Sequence, residues 1–556
     1  MICKKCSTDN PPEKNLCQNC GAPLHHSKRG GFFKKFGGIV GVVAVAAIAF
    51  TVNVGMFQAK YEQPIDKTKY PIAYVKNNSL YLKSLSKKKV TNLSDFLLSN
   101  SETTEAPKIF LSKNGNGLYF LENYDETTNS GSFFASFNGK TKVSISSKAY
   151  ANIQISQNGT HALFIDAPDA NASSGALNLY TKNEKKEKLV DRASLTEFQF
   201  SPNGKAFAYI ELLNDSLKGE LYFQKIGGER EKVDSDVSKI VYLPNNSGAL
   251  YLKQTNETFY DLYYWHQGKA SKKIAGNVTG NMIYTTPFSN KTLFCADNAS
   301  PFNYTLYASG KNAEASIIDT QVMMPLQYDA QYQNVIYTKN FSQSEFTSDT
   351  YIKRKGKDPM KLLSATDTNA TSVQASQDFS KVAYIGEIDP GTGLGKLYLQ
   401  EFGFFSSKAP TLIAENVSSF SLSRSGRILA YTASTSENPS SKNLYLYAKK
   451  KQTLVAEHIQ DGNYMLSDNA QALYYIANYN EEEDSGNLFV KNALKPSSEP
   501  TKINSDVSRM FYPRSHKQAI YLKNTDSKEN PHELYFWKGK SKSELIDTGD
   551  IQVLFN

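Results

Sequence analysis

Thr196–Ile210, TEFQFSPNGKAFAYI, contains a short alternating strand, a polar turn with Gly204, and a second, apolar strand. The same pattern recurs in ANIQISQNGTHALFI at Ala151–Ile165 and in SSFSLSRSGRILAYT at Ser418–Thr432. Each copy is followed by a polar loop and a third strand, and then by a fourth segment, as in GELYFQKI and EREKVD. Alternation of apolar and polar residues with a period of two is typical of β-strands. The sequence therefore predicts a repeat of four short strands with a period near 45 residues.

This repeat predicts the blades of a β-propeller, in which four-stranded sheets follow one another around an axis. An eleventh, divided unit completes a series of about 11 blade units. Pro71–Leu93 contains three strands without a first strand, and Asp550–Asn556 contains a first strand alone. We expect these two segments to complete one blade, because closure removes a free sheet edge. The first strands of the other ten units are marked by Ile109, Ile153, Phe198, Ile240, Met282, Leu326, Val373, Phe420, Tyr464 and Met510.

A longer repeat relates the two halves of this region. VDSDVSKIVYL at Val233–Leu243 aligns with INSDVSRMFYP at Ile503–Pro513, 270 residues later, and Trp265 and Trp537 fall at equivalent places in their units. This favours a duplicated set of about six blades. We therefore expect two tandem propellers rather than one very large ring, with the C-terminal strand closing a ring. The predicted domains are 70–324 and 325–556, preceded by a linker at 59–69.

The turn at Ser201–Tyr209, SPNGKAFAY, resembles the S-P-D-G-K-x-[IL]-A-[FY] signature of TolB-like, WD40-like propellers, which is also seen in propeller domains of prolyl-oligopeptidase relatives. Asn203 stands where Asp is usual, and the other copies are degenerate. The resemblance implies the propeller fold and says little about activity, since a fold hosts many functions.

Two Cys-x-x-Cys pairs lie at the start of the chain: Cys3 with Cys6, and Cys17 with Cys20. Two such pairs can close four thiolates around one Zn²⁺, and a fully occupied tetrahedral shell indicates a structural rather than a catalytic metal. Two disulfides or a redox pair are the alternatives, but no thioredoxin-like pattern surrounds these cysteines. CKKCSTDNPPEKNLCQNCGAPL resembles the short zinc ribbons at the N-termini of many bacterial membrane proteins. We predict a zinc ribbon at 1–24 whose folding depends on the metal.

A transmembrane helix is predicted at 37–58, after a basic linker at 25–36. No charged residue occurs from Phe36 to Ala59, and Gly38–Phe57 gives twenty residues, enough to cross a hydrocarbon core of about 30 Å. A cleaved signal peptide would have a shorter apolar core. The segment therefore favours a permanent single-pass membrane anchor.

The basic residues around this segment predict its orientation. Lys28, Arg29, Lys34 and Lys35 precede it without an intervening acid, whereas acids and lysines mix on the other side. The positive-inside rule then places the N-terminus in the cytoplasm and the propeller outside the cell membrane. The thiolate site would lie in the reducing compartment. Cys295, in KTLFCADN, is expected to be a buried small hydrophobic residue.

The bulk composition gives little support to nucleic-acid binding. The chain has 556 residues and a formal charge of +9, of which residues 1–36 contribute +5 through seven Lys/Arg and two acids. The charge on the other 520 residues is too dilute to indicate a nucleic-acid surface. The 34 Tyr and 31 Phe are expected mainly in the sheet cores, and we expect some loop aromatics, Tyr260, Phe404, Phe405 and Tyr479, to be available for a partner.

No catalytic motif is visible in the repeat region. His residues are scattered, and H-E-x-x-H, G-x-S-x-G, Walker A, dinucleotide and EF-hand patterns do not occur. The acidic run NEEEDSGN at Asn480–Asn487 is expected to be a solvated loop. We therefore expect a non-enzymatic binding or scaffold protein, in which the propeller binds a protein or a cell-envelope polymer. The alternatives are an envelope glycan lyase or hydrolase using carboxylates of the propeller channel, and a transmembrane signalling protein.

Overall fold

All described residues of the computed structural model lie within Gln63–Asn556. Met1–Glu62, with the predicted zinc ribbon and membrane helix, lies outside the described residues. The structure describes residues 72–83, 90–99, 106–112, 117–137, 139–166, 173–213, 218–286, 289, 291–300, 302–310, 314–367, 372–403, 408–435, 442–467, 470–511, 518–527, 530–539 and 542–554.

The described residues form 39 strands and no helix, in six antiparallel sheets. The first sheet combines β1 (Ile72–Lys76), β2 (Ser79–Lys83), β3 (Val90–Ser94) and β39 (Ile551–Leu554). The second contains β4 (Ile109–Leu111), β5 (Leu118–Asp125), β6 (Ser130–Ser136) and β7 (Val143–Tyr150). The third contains β8 (Gln154–Ile155), β9 (His161–Ile165), β10 (Ser174–Thr181), β11 (Glu187–Phe200), β12 (Ala206–Glu211), β13 (Gly219–Lys225) and β14 (Arg230–Val237).

The fourth and largest sheet contains β15 (Lys239–Asn245), β16 (Gly248–Gln254), β17 (Phe259–His266), β18 (Lys272–Thr285), β19 (Thr292–Ser300), β20 (Asn303–Ser309), β21 (Ala315–Tyr328), β22 (Val335–Ser342), β23 (Thr347–Lys353) and β24 (Met360–Asp367). The fifth contains β25 (Val373–Ala375), β26 (Lys381–Gly386), β27 (Gly395–Glu401), β28 (Thr411–Leu422), β29 (Ile428–Ser434), β30 (Lys442–Ala448) and β31 (Lys451–Ile459). The sixth contains β32 (Tyr464–Leu466), β33 (Ala472–Asn480), β34 (Ser485–Asn492), β35 (Thr501–Phe511), β36 (Gln518–Asn524), β37 (His532–Lys538) and β38 (Glu544–Gly549).

Five long strands, β11, β18, β21, β28 and β35, each belong to two successive units. The first half of each strand is the outermost strand of one unit, and the second half is the first strand of the next. A register shift separates the halves, for example between Ala193 and Phe198 in β11. Dividing these strands there gives eleven four-stranded antiparallel units, which we call blades and whose strands we call A to D. This up-and-down repetition is a β-propeller arrangement, as the sequence predicted.

The blades are numbered in chain order from blade 1, which is β4–β7, to blade 10, which ends with β38. Blade 11 is divided between the two ends of the repeat region, as expected. Its A strand is β39, which pairs with β1 through Lys76↔Ile551, Val75↔Gln552, Tyr74↔Val553 and Ala73↔Leu554. The pairing places β1 between β2 and β39, so β1 has a hydrogen-bonded neighbour on each side and is not a free sheet edge.

The hydrophobic cores of the described residues link the blades in an unbroken cycle. Each of the eleven core clusters contains side chains from two consecutive blades. One of them packs Ile72 and Tyr74 of blade 11 on Ile520 and Leu522 of blade 10, and another continues from blade 11 to Leu118 of blade 1. The cores therefore join the last blade to the first as they join every other pair.

The expected boundary between 70–324 and 325–556 falls inside β21. A single core cluster spans this position, with Leu293, Cys295 and Val322 on one side and Val335 and Tyr337 on the other. The described core therefore has no interruption at that boundary. The longer repeat is visible in the register, since Trp265 lies opposite Ala249 in blade 4 and Trp537 lies opposite Ala519 in blade 10.

Stacked aromatic pairs account for the abundance of tyrosine and phenylalanine. In ten of the eleven blades, an aromatic residue of strand B stacks on one of strand C, with ring centroids 5.3–6.1 Å apart. Tyr431 with Tyr445 and Tyr521 with Tyr535 are examples at 5.3 Å. The B-strand rings lie in the core, where offset stacking adds to the burial of apolar area. The expectation that most aromatics are core residues is confirmed for the B-strand rings, while their C-strand partners are half-buried.

The turn in the opening stretch joins strands A and B and packs on the preceding blade. Ser201 Oγ accepts a hydrogen bond from the backbone N–H of Ala206 at 3.1 Å. Gly204 has a φ of +67°, and a Cβ there would lie 2.9 Å from Cβ of Ser156 in the preceding turn. Glycine is required here both by the left-handed backbone and by the close approach. Because the strands are antiparallel, A–B and C–D turns share one end of the sheets, and B–C and D–A connections share the other.

Polar contacts also connect neighbouring blades. Asp234 on strand D of blade 3 accepts hydrogen bonds from Tyr251 Oη at 2.5 Å and Lys253 Nζ at 2.7 Å on strand B of blade 4. Asp319 contacts Tyr337 and Lys339 in the same way, and Asp547 contacts Tyr74 and Lys76. We call this Asp-to-Tyr-x-Lys contact the interblade clamp.

Candidate binding surface

The predicted zinc ligands Cys3, Cys6, Cys17 and Cys20 lie outside the described residues, so the zinc site stays a prediction. Within the described ranges, no group of three or more His, Cys, Asp or Glu side chains is placed to hold a metal ion. The same ranges contain no helix with the length and apolar character needed to cross a membrane. Cys295 is a fully buried free thiol on β19, and burial raises its pKa to about 12. The expectation that it behaves as a small core residue is confirmed.

The loop aromatics named from the sequence do not form an exposed group among the described residues. Phe404 and Phe405 lie outside those residues. Tyr260 is half-buried and packs against the core between blades 4 and 5. Tyr479 donates a hydrogen bond to Asp484 and packs against the core between blades 9 and 10. The acidic run containing Asp484 is an exposed B–C turn between β33 and β34, as predicted.

A different set of aromatic side chains forms a surface group, which we call the phenylalanine patch. It consists of Phe302, Phe341 and Phe346. Phe302 lies in the B–C turn of blade 5, and the other two lie at the B–C hairpin of blade 6. The rings of Phe302 and Phe341 are 5.1 Å apart at 66°, and those of Phe341 and Phe346 are 5.7 Å apart at 90°. The three rings therefore meet edge to face across two neighbouring blades.

Two members of the phenylalanine patch are held in an unfavourable backbone conformation. Phe302 has a φ of +62° and is 45% exposed, and Phe346 has a φ of +55° and is 61% exposed. A left-handed backbone is an outlier for a bulky side chain and costs about 1–3 kcal/mol. Phe379 and Tyr332 also have positive φ, but their rings are buried and gain core contacts. The exposed pair gains little burial in return, which is the pattern expected of a recognition site.

Polar groups fix the hairpin that carries Phe341 and Phe346. Asn340 Nδ2 donates a hydrogen bond to Asp349 Oδ2 at 2.9 Å, and Lys361 Nζ lies 2.9 Å from the same carboxylate. Amide and charged groups therefore lie in the same blade as Phe341 and Phe346.

The phenylalanine patch was not among the surfaces predicted from the sequence. The turn segments SPFN and QSEFTS contain phenylalanine at positions where a left-handed residue would usually be Gly or Asn. A phenylalanine at such a turn position is the one sign of the patch in the sequence. It points to the patch only once the φ angles are known.

A catalytic carboxylate pair would support the enzyme alternative, and Glu197 is the carboxyl group to consider first. Burial raises its pKa, and its carboxylate accepts a hydrogen bond from the backbone N–H of Ile240 at 2.7 Å. No second carboxylate contributes to this shift. Amide side chains make the same A-strand contact elsewhere, with Gln374 Oε1 accepting from Leu422 N–H at 2.8 Å. Glu197 is thus one of several side chains that link neighbouring A strands.

No family model and no curated protein matches the chain. A eukaryotic initiation factor structure is similar over 87% of this chain and 98% of that chain, with 9% identity and a TM-score of 0.39. Dipeptidyl peptidase 4 of Porphyromonas gingivalis is similar over 70% of this chain and 67% of that chain, with 11% identity and a TM-score of 0.38.

The β-propeller domain of the Trilobed protease from Pyrococcus furiosus is similar over 55% of this chain and 94% of that chain, with 13% identity and a TM-score of 0.26. Scores and identities this low carry no argument about activity or substrate. The class of protein is therefore defined by the sheet topology of the described residues, which is that of a β-propeller.

Proposed function

We propose that this chain is a membrane-anchored binding protein whose propeller recognises a protein partner through the phenylalanine patch. The observation that carries the proposal is the pair of exposed, left-handed phenylalanines, Phe302 and Phe346, packed on Phe341. Buried aromatic anchors dominate the binding energy of many protein interfaces. Phenylalanine has no hydroxyl or N–H group, so it suits an apolar protein surface better than a hydroxyl-rich polymer.

We further propose that the eleven blades close one ring, in place of the two expected from the longer repeat. The unbroken cycle of core clusters and the pairing of β39 with β1 support this arrangement. A propeller presents its B–C turns together at one end of the sheets, so a partner could contact several blades at once.

The zinc ribbon, the membrane helix and the outward-facing propeller are part of the same proposal, supported by the sequence alone. One Zn²⁺ bound by Cys3, Cys6, Cys17 and Cys20 would fold residues 1–24 in the cytoplasm. Metal analysis of the purified full-length chain should find one zinc per chain, and a Cys3→Ser/Cys17→Ser variant should lose it. Zinc retained by that variant would contradict the assignment.

Partner recovery from envelope fractions tests the function directly. The full-length chain should retain one protein at a stoichiometric ratio, and a Phe302→Ser/Phe346→Ser variant should lose it. Leu412→Ser/Leu545→Ser is the matched control, because these side chains are 46% and 47% exposed on outer strands away from the patch. Equal recovery by wild type and the patch variant would contradict the proposed surface. Turnover of an envelope polymer without a retained partner would favour the enzyme alternative.

A further inference from the structure

A second feature lies at the opposite end of the sheets from the phenylalanine patch. A cavity of about 390 Å³ opens between blades 7 and 8, where their A–B and C–D turns meet. Its floor is apolar and includes Leu399, Leu429 and half-buried Tyr447. Five basic side chains also line the cavity, Lys381, Lys408, Arg427, Lys449 and Lys450, and Glu401 is the one acidic lining residue.

The charges in this cavity are not balanced within the described residues. Lys381 and Lys408 each approach Glu401 at 3.0 Å, and these two hydrogen-bonded lysines lower the Glu401 pKa to about 2. Glu401 is therefore ionised at neutral pH, but it can neutralise only one positive charge. The side chains of Arg427, Lys449 and Lys450 form no ion pair with any described residue. The cavity thus has a strong excess of positive charge.

The backbone of the C–D turn in blade 8 adds an independent observation. Lys449 has a φ of +51° and Lys450 a φ of +62°. Left-handed positions of the C–D turns in other blades are occupied by Gly227, Gly268 and Gly356. Glycine adopts this conformation without steric cost, whereas lysine does not. Blade 8 therefore holds two consecutive lysines in strained backbone at the mouth of a basic cavity, and a functional use of their charge explains this choice.

We propose that the cavity between blades 7 and 8 binds an organic phosphate. Arginine can donate two parallel hydrogen bonds to a phosphate, and lysines add point charges around it. A phosphate with two negative charges fits the excess of cations better than a single carboxylate. The apolar floor accommodates the carbon part of the ligand. This inference does not depend on the proposed protein partner, because the phenylalanine patch lies on blades 5 and 6 at the other end of their sheets.

The proposal is tested by titrating the full-length chain in neutral detergent with three phosphate probes. Inorganic phosphate and glycerol 3-phosphate represent soluble ligands, and dihexanoyl phosphatidylglycerol represents a lipid headgroup. Glycerol and acetate are the uncharged and carboxylate controls. We expect calorimetric binding of at least one phosphate probe, weakened by added salt as for other charge-driven contacts. The probe that binds most tightly assigns the soluble or the lipid source.

An Arg427→Gln/Lys449→Gln/Lys450→Gln variant should weaken phosphate binding by about tenfold or more, since hydrogen bonds to charged groups are lost. The matched control is Lys269→Gln/Lys355→Gln/Lys357→Gln, which removes the same charge from exposed C–D turns of blades 4 and 6. It should bind as the wild type does. Equal weakening in both variants, no binding of any phosphate probe, or equally tight binding of acetate would overturn the proposal.

Discussion

At the residue scale, the interblade clamp links an Asp on strand D of one blade to a Tyr and a Lys on strand B of the next blade. Asp234, Asp319 and Asp547 each precede a blade whose B strand contains Tyr-x-Lys. At the equivalent position before blade 10 the residue is Asn504, which donates a hydrogen bond to Tyr521 at 2.7 Å. Lys523 of that blade instead approaches Asp506 at 3.5 Å. The chain thus contains a natural variant of its own clamp.

Reciprocal substitutions test the contribution of the clamp to stability. Asp234→Asn should lower the free energy of unfolding by about 1–2 kcal/mol, because Lys253 loses a charged acceptor in a part-buried site. Asn504→Asp should raise it, because Lys523 gains the carboxylate that the other clamps have. Urea unfolding of the full-length chain measures both changes. Destabilisation by Asn504→Asp would show that the clamp does not transfer between blades.

The raised pKa of Glu197 predicts how the free energy of unfolding depends on pH. Its pKa is raised by burial, so its contribution to stability is complete below the ordinary Glu pKa and is lost as pH rises through the raised value. Glu197→Gln keeps an acceptor for Ile240 N–H and has no charge. The stability of the variant relative to the wild type should therefore increase as the pH is raised from acidic to neutral.

Glu220 is the matched control for this measurement. Hydrogen bonds from Lys232 and Tyr222 lower its pKa, so its contribution is present above the ordinary Glu pKa and is lost as pH falls through the lowered value. Glu220→Gln should therefore lose stability relative to the wild type at neutral pH. Urea midpoints at pH 4 and pH 7 give both signs, and parallel behaviour of the two variants would contradict the assignment.

The residue scale also marks where prediction from sequence is weakest. The continuous apolar run in KAFAYIEL indicates a buried strand, and Tyr209 on that strand is fully buried. Phe302 and Phe346 are equally hydrophobic, but they lie in turns, and hydrophobicity alone does not distinguish a core ring from an exposed ring. Their left-handed φ and the packing between two blades arise from tertiary structure.

At the scale of elements, we expect the C–D turn of blade 8 to be less stable than it could be, because charged lysines occupy two left-handed positions. Lys449→Asn/Lys450→Gly supplies the residue types that favour consecutive left-handed positions. The change should raise the free energy of unfolding by about 1 kcal/mol. The same variant should bind phosphate more weakly. Thermal unfolding without ligand measures the first effect, and a fall in melting temperature would indicate that the native turn is not strained.

Closure of blade 11 is the second prediction at this scale. Truncation after Asp550 removes β39 and leaves the backbone of β1 without its partner on one side. Amides of Ala73 and Val75 should then exchange hydrogen for deuterium faster, since they lose the protection of a closed sheet. β8 in blade 2, which keeps its neighbour, is the internal control. Unchanged exchange in β1 would show that closure does not depend on this strand.

Most of the strands and their connections could be predicted from the sequence. The alternating strands, the glycine turns and the divided blade each have a local signal, and β39 pairs with β1 as that signal indicated. The ends of strands were less accurate, since Ile153 precedes β8, which begins at Gln154. Register shifts within the long strands depend on contacts with two blades and leave no simple pattern in the sequence.

At the scale of the whole molecule, the repeat predicted eleven blades but favoured two rings. The similarity between Val233–Leu243 and Ile503–Pro513 favours a duplicated set of blades, but a duplication does not determine how many rings the blades close. That depends on which blades pack together, and the core clusters link all described blades in sequence order. The zinc ribbon and the membrane helix remain predictions from residues 1–58.

The proposed function is tested most directly by photo-cross-linking the full-length protein in intact cells. A photoreactive amino acid would replace Phe346, with Leu545 on the outer strand β38 as the matched position. We expect one discrete cross-linked protein from position 346. It should be absent from position 545 and should be lost when Phe302 and Phe341 are replaced by Ser. The same adducts at both positions, or none at position 346, would contradict the proposal that the phenylalanine patch is the partner-binding surface.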